Sequence, residues 1–263
     1  METAGYAASV LIGLSLGLIG GGGSILTVPI LVYFFAVDPV LATTYSLFVV
    51  GLTSFAGTIS HYRKGNVNFK IALIFGIPSL VAVFVMRMWI MPAVPDQLLK
   101  LGHFDLTKGV LLMLVFAALM LAASVSMIRK INPSPPEKQH LINYTRLALQ
   151  GSLVGIVTGF VGVGGGFLII PSLVLFAGLS MKKAVGTSLM VMTISSLLGV
   201  LGDVSGHAAI DYSFLAFFAA LAIAGIIAGS YLTKYMNDAK LKPAFGWFVL
   251  LMGIFVLVST LTK

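Results

Sequence analysis

Six stretches of the chain, at about residues 40–60, 70–91, 106–128, 182–202, 212–233 and 242–261, are nearly unbroken apolar sequence. A hydrocarbon core of about 30 Å takes about 20 apolar residues to cross as a helix, so each run has the length of a membrane span. One soluble domain of 263 residues could not hide them all. Only 9% of the residues are charged, against about 25% in an ordinary soluble domain. Mean hydropathy is +1.07. Lipid must therefore solvate most of the surface, and the fold class that follows is an all-α polytopic membrane protein.

Two further apolar stretches, about 5–36 and 144–178, break the pattern. Each is too long for one span and too short for two. Each carries a glycine cluster near its middle, Gly20-Gly21-Gly22-Gly23-Ser24 and Gly162-Val163-Gly164-Gly165-Gly166. Glycine costs about 1 kcal/mol per residue inside a helix, so such a run should break it. Each stretch is expected to be two half-helices joined at a glycine hinge.

The broken stretches are copies. Gly22 to Pro29 lies over Gly164 to Pro171, and the shift that puts Pro29 on Pro171 also puts Ala42 on Ala184, Ser46-Leu47 on Ser188-Leu189, Ser54 on Ser196 and Gly57 on Gly199. The chain reads as a tandem duplication. A first transmembrane repeat covers 1–130 and a second covers 143–263. A Pro-rich linker at 131–142, containing Asn132-Pro133-Ser134-Pro135-Pro136, joins them.

The basic residues orient the copies. If each broken stretch crossed the membrane once, the sixteen Lys and Arg would divide equally between the two sides. If each is a hairpin that returns, Lys182, Lys183, Lys234, Lys240 and Lys242 join the side of Arg63 and Arg129, and Lys263 leaves it. The division becomes twelve against four. Cytoplasmic loops favour Lys and Arg, so the expectation is two inverted repeats, each a half-helix hairpin plus three transmembrane helices. The linker is then cytoplasmic and both termini external. The segment Met1–Val10 lacks a basic start and a small-residue cleavage site, so it reads as retained.

Inverted repeats with broken helices are a transporter architecture. Backbone groups freed at a break cannot be satisfied by lipid, and must face protein, water or a ligand. A half-helix N-terminus there presents free N–H groups and a partial positive charge, which suits an anion. The candidate substrate-binding residues are Gly22, Gly23, Ser24, Thr27, Gly164, Gly165 and Gly166 at the breaks. Thr44, Ser46, Thr187 and Ser188 join them, from the segments Thr44-Tyr45-Ser46 and Gly186-Thr187-Ser188 that match across the repeat on the spans that follow. Glycines in membrane helices also serve close packing, and hydroxyls often bond to the preceding turn. His61 and Asp203 occupy matching span ends and are candidates for proton coupling, although as His103, His207 and Asp211 do, they also read as solvated interface residues. Arg87, near the end of an apolar run, is expected to snorkel to the interface.

Several functions are excluded. With no cysteines there are no disulfides or cysteine metal sites, and no His/Asp/Glu spacing suggests a metal. No cofactor is called for. No phosphate-binding loop or nucleophile–histidine–acid set points to an enzyme. The net charge of +8 sits in loops between spans, which is a topological signal and not a nucleic-acid interface. The partners implied are the bilayer and a small anionic substrate. H+, Na+ or the anion's own gradient could drive transport, and no feature selects an oligomeric state.

The segments Gly17 to Pro29 and Ala42 to Leu47, with their second copies Gly159 to Pro171 and Ala184 to Leu189, resemble the TauE/SafE sulfite exporter family. That resemblance implies an inner-membrane permease for sulfite, organosulfonates or similar small sulfur-containing anions, often an exporter. Transport would be by alternating access, the two halves rocking about a midplane site. An anion channel through the same breaks, or a membrane subunit without transport activity, stands as the alternative.

Overall fold

A computed structural model describes residues 2–101, 104–128, 143–162, 164–204, 211–232 and 238–262. The linker 131–142, His103 and His207 lie outside the described residues.

The first broken stretch is α1 (Glu2–Ile19), a 3-10 turn (Gly21–Leu26) and α2 (Thr27–Phe34). It does return on itself: a Cβ on Gly5 would lie 2.5 Å from Cζ of Phe35, and the rings of Tyr6 and Phe35 meet edge-on at 5.2 Å. Then follow α3 (Pro39–Arg63) and α4 (Phe69–Val85). A π turn (Met86–Ile90) and the short α5 (Met91–Ala93) extend α4. The second copy runs α7 (Tyr144–Val161), α8 (Gly166–Phe176), α9 (Met181–Val204), α10 (Tyr212–Leu232) and α11 (Asp238–Leu261), after α6 (Lys108–Ile128) closes the first. Among the described residues five helical segments are long and apolar enough to cross a membrane: Pro39–Arg63, Phe69–Ala93, Lys108–Val125, Met181–Leu201 and Tyr212–Leu232.

Helix starts follow local chemistry. Asp38 caps α3, its carboxylate accepting from the amides of Val40 and Leu41 at 2.8 and 3.2 Å, with Pro39 in the first turn. Asn68 caps α4 and Asp211 caps α10 in the same way, through the amides of Ile71 and Phe214. One element was not expected. Gln97–Leu101 and Phe104–Thr107 form an antiparallel pair, β1 and β2, so the span expected from 106 starts at Lys108.

The helices interleave. α1 packs along α10 and α7 along α4, α3 meets α10 and α9 meets α4, α3 crosses α9, and α6 lies along α11. The shift that superposes the glycine clusters carries each of these contacts onto its counterpart. Glycines set the spacing. A Cβ on Gly13 or Gly17 would collide with the backbone of α10, and one on Gly155 or Gly151 with the backbone of α4. Such close approach replaces the hydrophobic drive that lipid cannot supply between helices. Large apolar side chains such as Leu153, Phe217, Leu251 and Phe255 point outward, while Ser and Thr are concentrated inside.

Gly225→Leu should be destabilising by about 2 kcal/mol or more, since overpacking against fixed backbone cannot relax; its Cβ would meet the carbonyl of Val10 and the amide of Leu14. Gly76→Ala, which meets only Val191 at 3.5 Å, should change stability by less than about 1 kcal/mol. Unfolding of each variant in detergent checks the contrast; equal losses would contradict this packing.

Candidate functional site

At the first break Gly20 adopts φ 78° and ψ −121°, a conformation open essentially to glycine alone. The turn after it is held by Ser24, whose hydroxyl donates to the carbonyl of Gly21 at 2.7 Å. Gly22 lies in this turn, and its surroundings are outside the described residues. Gly23 packs against α1, where a Cβ would strike Oγ of Ser15 and the carbonyl of Ile12. The hydroxyl of Thr27 is buried without a hydrogen-bond partner.

At the second break three glycines are left-handed. Gly162, Gly164 and Gly165 have φ of 73°, 66° and 73°. The amide of Gly162 closes α7 on the carbonyl of Thr158 at 2.8 Å. Gly165 starts α8, and its carbonyl accepts from Leu168 and Ile169 at 2.9 Å each. No side chain caps this start. The amide of Leu168 is thereby taken, and those of Gly166 and Phe167 lead the helix without a partner inside it.

The two breaks touch. A Cβ on Gly21 would overlap the backbone of Gly166, and a Cβ on Gly166 would overlap Gly21 and strike Sδ of Met192. α3 and α9 wall this contact. Val185 faces Gly20, Met192 faces Gly166 and Ser196 faces Gly164, all on α9. Thr43 faces Gly162 and Val50 faces Gly164, both on α3. Positions three and four apart share a helix face, so Ser46 and Ser188 lie on these same stripes.

Ser46, Ser54 and Ser196 are fully buried, and their hydroxyls have no hydrogen-bond partner. Ser196 lies 3.1 Å from where a Cβ of Gly164 would stand. Ser188 instead donates to the carbonyl of Val185 at 2.8 Å, and Thr44 is buried in α3.

Thr187 lies elsewhere. Its hydroxyl accepts from the amide of Asn68 at 3.0 Å and ties the start of α4 to α9. Tyr45, its counterpart, accepts from the amide of Asp211 at 2.9 Å and ties the start of α10 to α3. Two different side chains do the same work in the two copies.

His61 is not solvated, as an interface residue would be. It is 5% exposed in the last turn of α3, and neither ring nitrogen has a hydrogen-bond partner. Asp203 lies in the last turn of α9, with its side chain outside the described residues. Arg87 does not snorkel. It is 2% exposed, and its Nη1 donates to the hydroxyl of Thr43 at 2.9 Å. It is inward because the face of α4 that carries it packs on α7. Sequence reasoning left Arg87, Thr43, Ser54 and Ser196 out of the site, although the exact repeat spacing of Ser54 and Ser196 was a usable signal. No group of three His, Asp or Glu side chains able to hold a metal occurs among the described residues.

Tyr45→Phe and Thr187→Val should each lower stability by about 1–3 kcal/mol, because each leaves a partly buried amide without its acceptor. Ser46→Ala should be close to neutral. Thermal unfolding checks this, and a neutral Thr187→Val would contradict the capping role.

The sulfite exporter TauE/SafE family model matches residues 6–256. A probable membrane transporter protein of Xylella fastidiosa (strain 9a5c) is 31% identical over 254 residues, covering 94% of this chain and 91% of that protein. The probable membrane transporter protein YdhB of Bacillus subtilis is 29% identical over 247 residues, covering 94% and 96%. A probable membrane transporter protein of Methanocaldococcus jannaschii is 27% identical over 267 residues, covering 95% and 94%. No solved structure matches. With its family match spanning nearly all of its length and its apolar helices, the chain is a membrane transporter protein of the sulfite exporter TauE/SafE family.

Proposed function

We propose that the protein carries small sulfur-containing oxyanions, such as sulfite or organosulfonates, outward across the cell's inner membrane. The observation that carries this reading is the buried contact of Gly21 with Gly166, which brings two interrupted helices to one place inside the bundle. The leading amides of α8 and the unpartnered hydroxyls of Ser46, Ser54 and Ser196 offer donors there and no fixed negative charge. Such a set suits an anion with several acceptor oxygens. Nothing about catalysis is needed, since the chemistry is binding and release.

Access would alternate between two bodies that are not the two sequence halves, because the halves interleave. One body is α1, α2, α3 and α10; the other is α7, α8, α9 and α4. The seam between them follows the α3–α9 crossing and the contact of the breaks, so a bound anion would sit on the seam. Rocking about it is the alternating access of repeat-built transporters.

The return of the first hairpin, with Gly5 beside Phe35, supports an inverted arrangement. Three further helices, α3, α4 and α6, then bring the second copy in from the opposite side. The twelve-to-four division of basic residues supports cytoplasmic loops at Arg63 and Arg129 and external termini. His61 is the buried titratable group available for coupling to H+, with Asp203 in the matching position.

Purified protein in liposomes should carry labelled sulfite or methanesulfonate with saturable kinetics, and Gly166→Val should abolish the flux. Absence of flux for any sulfur oxyanion would overturn the reading, and non-saturating flux would convert it to a channel. Tags at both termini should be cleaved by protease added to spheroplasts; protection of either one contradicts the inverted arrangement.

A further inference from the structure

We propose that Arg87 is the residue that recognises the anion's charge. Its guanidinium, with Thr43, Ser196 and the start of α8, forms an oxyanion site at the second glycine break. This inference rests on the transport reading for its biological meaning, but the site is a claim about binding alone.

The geometry comes first. Arg87 is 2% exposed, so its charge sits inside the bundle. A charge at membrane depth is costly and is retained where it serves a site. Its Nη1 is fixed on Thr43, and its Nη2 lies where a Cβ of Gly162 would stand. The absence of a side chain at Gly162 is what lets the guanidinium reach the break. Two residues on, the buried and unpartnered hydroxyl of Ser196 points at Gly164. Two residues further, α8 begins with no side-chain cap. A guanidinium, a hydroxyl and leading helix amides therefore meet one short segment of backbone, Gly162 to Gly166.

The backbone of Arg87 is itself irregular. It belongs to the π turn Met86–Ile90 that interrupts the end of α4. Such single turns are rare and occur often at functional sites. The fold does not demand a charge here. Met86 packs on Gly159 as Gly229 packs on Gly17, which makes Ser230 the counterpart of Arg87. Ser230 fills the equivalent place with a neutral side chain. Its carbonyl accepts from Nζ of the exposed Lys64 at 3.2 Å, so among the described residues the first copy has no buried guanidinium at this place.

Chemistry then selects the ligand class. A planar guanidinium presents paired N–H donors that match two oxygens of a sulfonate, sulfite or carboxylate. The hydroxyl and the amides take a third oxygen, which a tetrahedral or pyramidal sulfur oxyanion has and a carboxylate lacks. The site also bridges the seam. Arg87, Gly162 and Ser196 belong to one body, and Thr43 to the other. An anion held there would change how firmly the two bodies are joined.

The test uses full-length protein in detergent, with methanesulfonate, sulfite and acetate as probes. Methanesulfonate and sulfite should raise the wild-type Tm saturably, as a ligand of the folded state does, and acetate should do so more weakly. Arg87→Lys should weaken binding by about tenfold or more, since the bidentate fork is lost. Arg87→Met should abolish it, and Thr43→Val should weaken it while also lowering the unliganded Tm, because a buried guanidinium N–H loses its acceptor. Wild-type affinity in Arg87→Met, or in Arg87→Lys where the methionine variant does not fold, overturns the proposal, as does a wild type stabilised by none of the anions. Flux separates this claim from the transport reading. Saturable wild-type flux with an unchanged KM in Arg87→Lys removes Arg87 and leaves transport standing. Arginine-dependent binding without any flux supports the site and removes transport.

Discussion

A break in a helix is tolerable at membrane depth only if something other than lipid meets the freed backbone groups. Here the two breaks meet each other. Gly21 lies on Gly166 so closely that neither position admits a Cβ. From that contact the rest follows. The half-helices must reach each other, so each hairpin must be enclosed by long helices of the other copy. α1 lies along α10 and α7 along α4, and the glycines of those pairs let backbones approach without side chains between them. α3 and α9 are then left to cross at the centre, where their hydroxyl-bearing stripes face the breaks.

The interleaving changes what a moving part can be. A duplicated chain invites the picture of two halves that rock, each half a rigid body. The helix pairs that pack most extensively are all formed between halves. Pulling the halves apart would cost most of the packing in the bundle. The bodies that share less are the mixed ones, separated by the α3–α9 crossing and by the glycine contact itself. Substrate site and hinge would then coincide.

Much of this architecture was legible because it is governed by length and composition. A run of some twenty apolar residues has one use, and a run of some thirty with glycines at its centre has another. The turn-back of the first stretch, seen where Gly5 lies beside Phe35, is the arrangement that charge counting favours. Side-chain roles were less accessible. Arg87 lies near the end of an apolar run, where snorkelling and burial look identical; which one occurs depends on the face that α4 turns to α7. Tyr45 and Thr187 align without resembling each other, and a hydroxyl accepting from a backbone amide needs no other likeness. Thr187 therefore looked like a site residue while it was tying α9 to the start of α4. The β1–β2 pair was missed because two short strands of mixed residues beside a span carry little pattern.

The central claim is that the breaks line one site on the seam between two bodies, open to each side in turn. The native chain has no cysteine, so Ser196→Cys gives a single reactive probe beside Gly164. Its labelling by a membrane-impermeant maleimide should be measured from each face of oriented vesicles, with and without methanesulfonate. Labelling should occur from both faces, and the anion should shift the two rates in opposite directions. Labelling from neither face would mean that the breaks are only packing, and rates that ignore the anion would mean that no alternating site exists there.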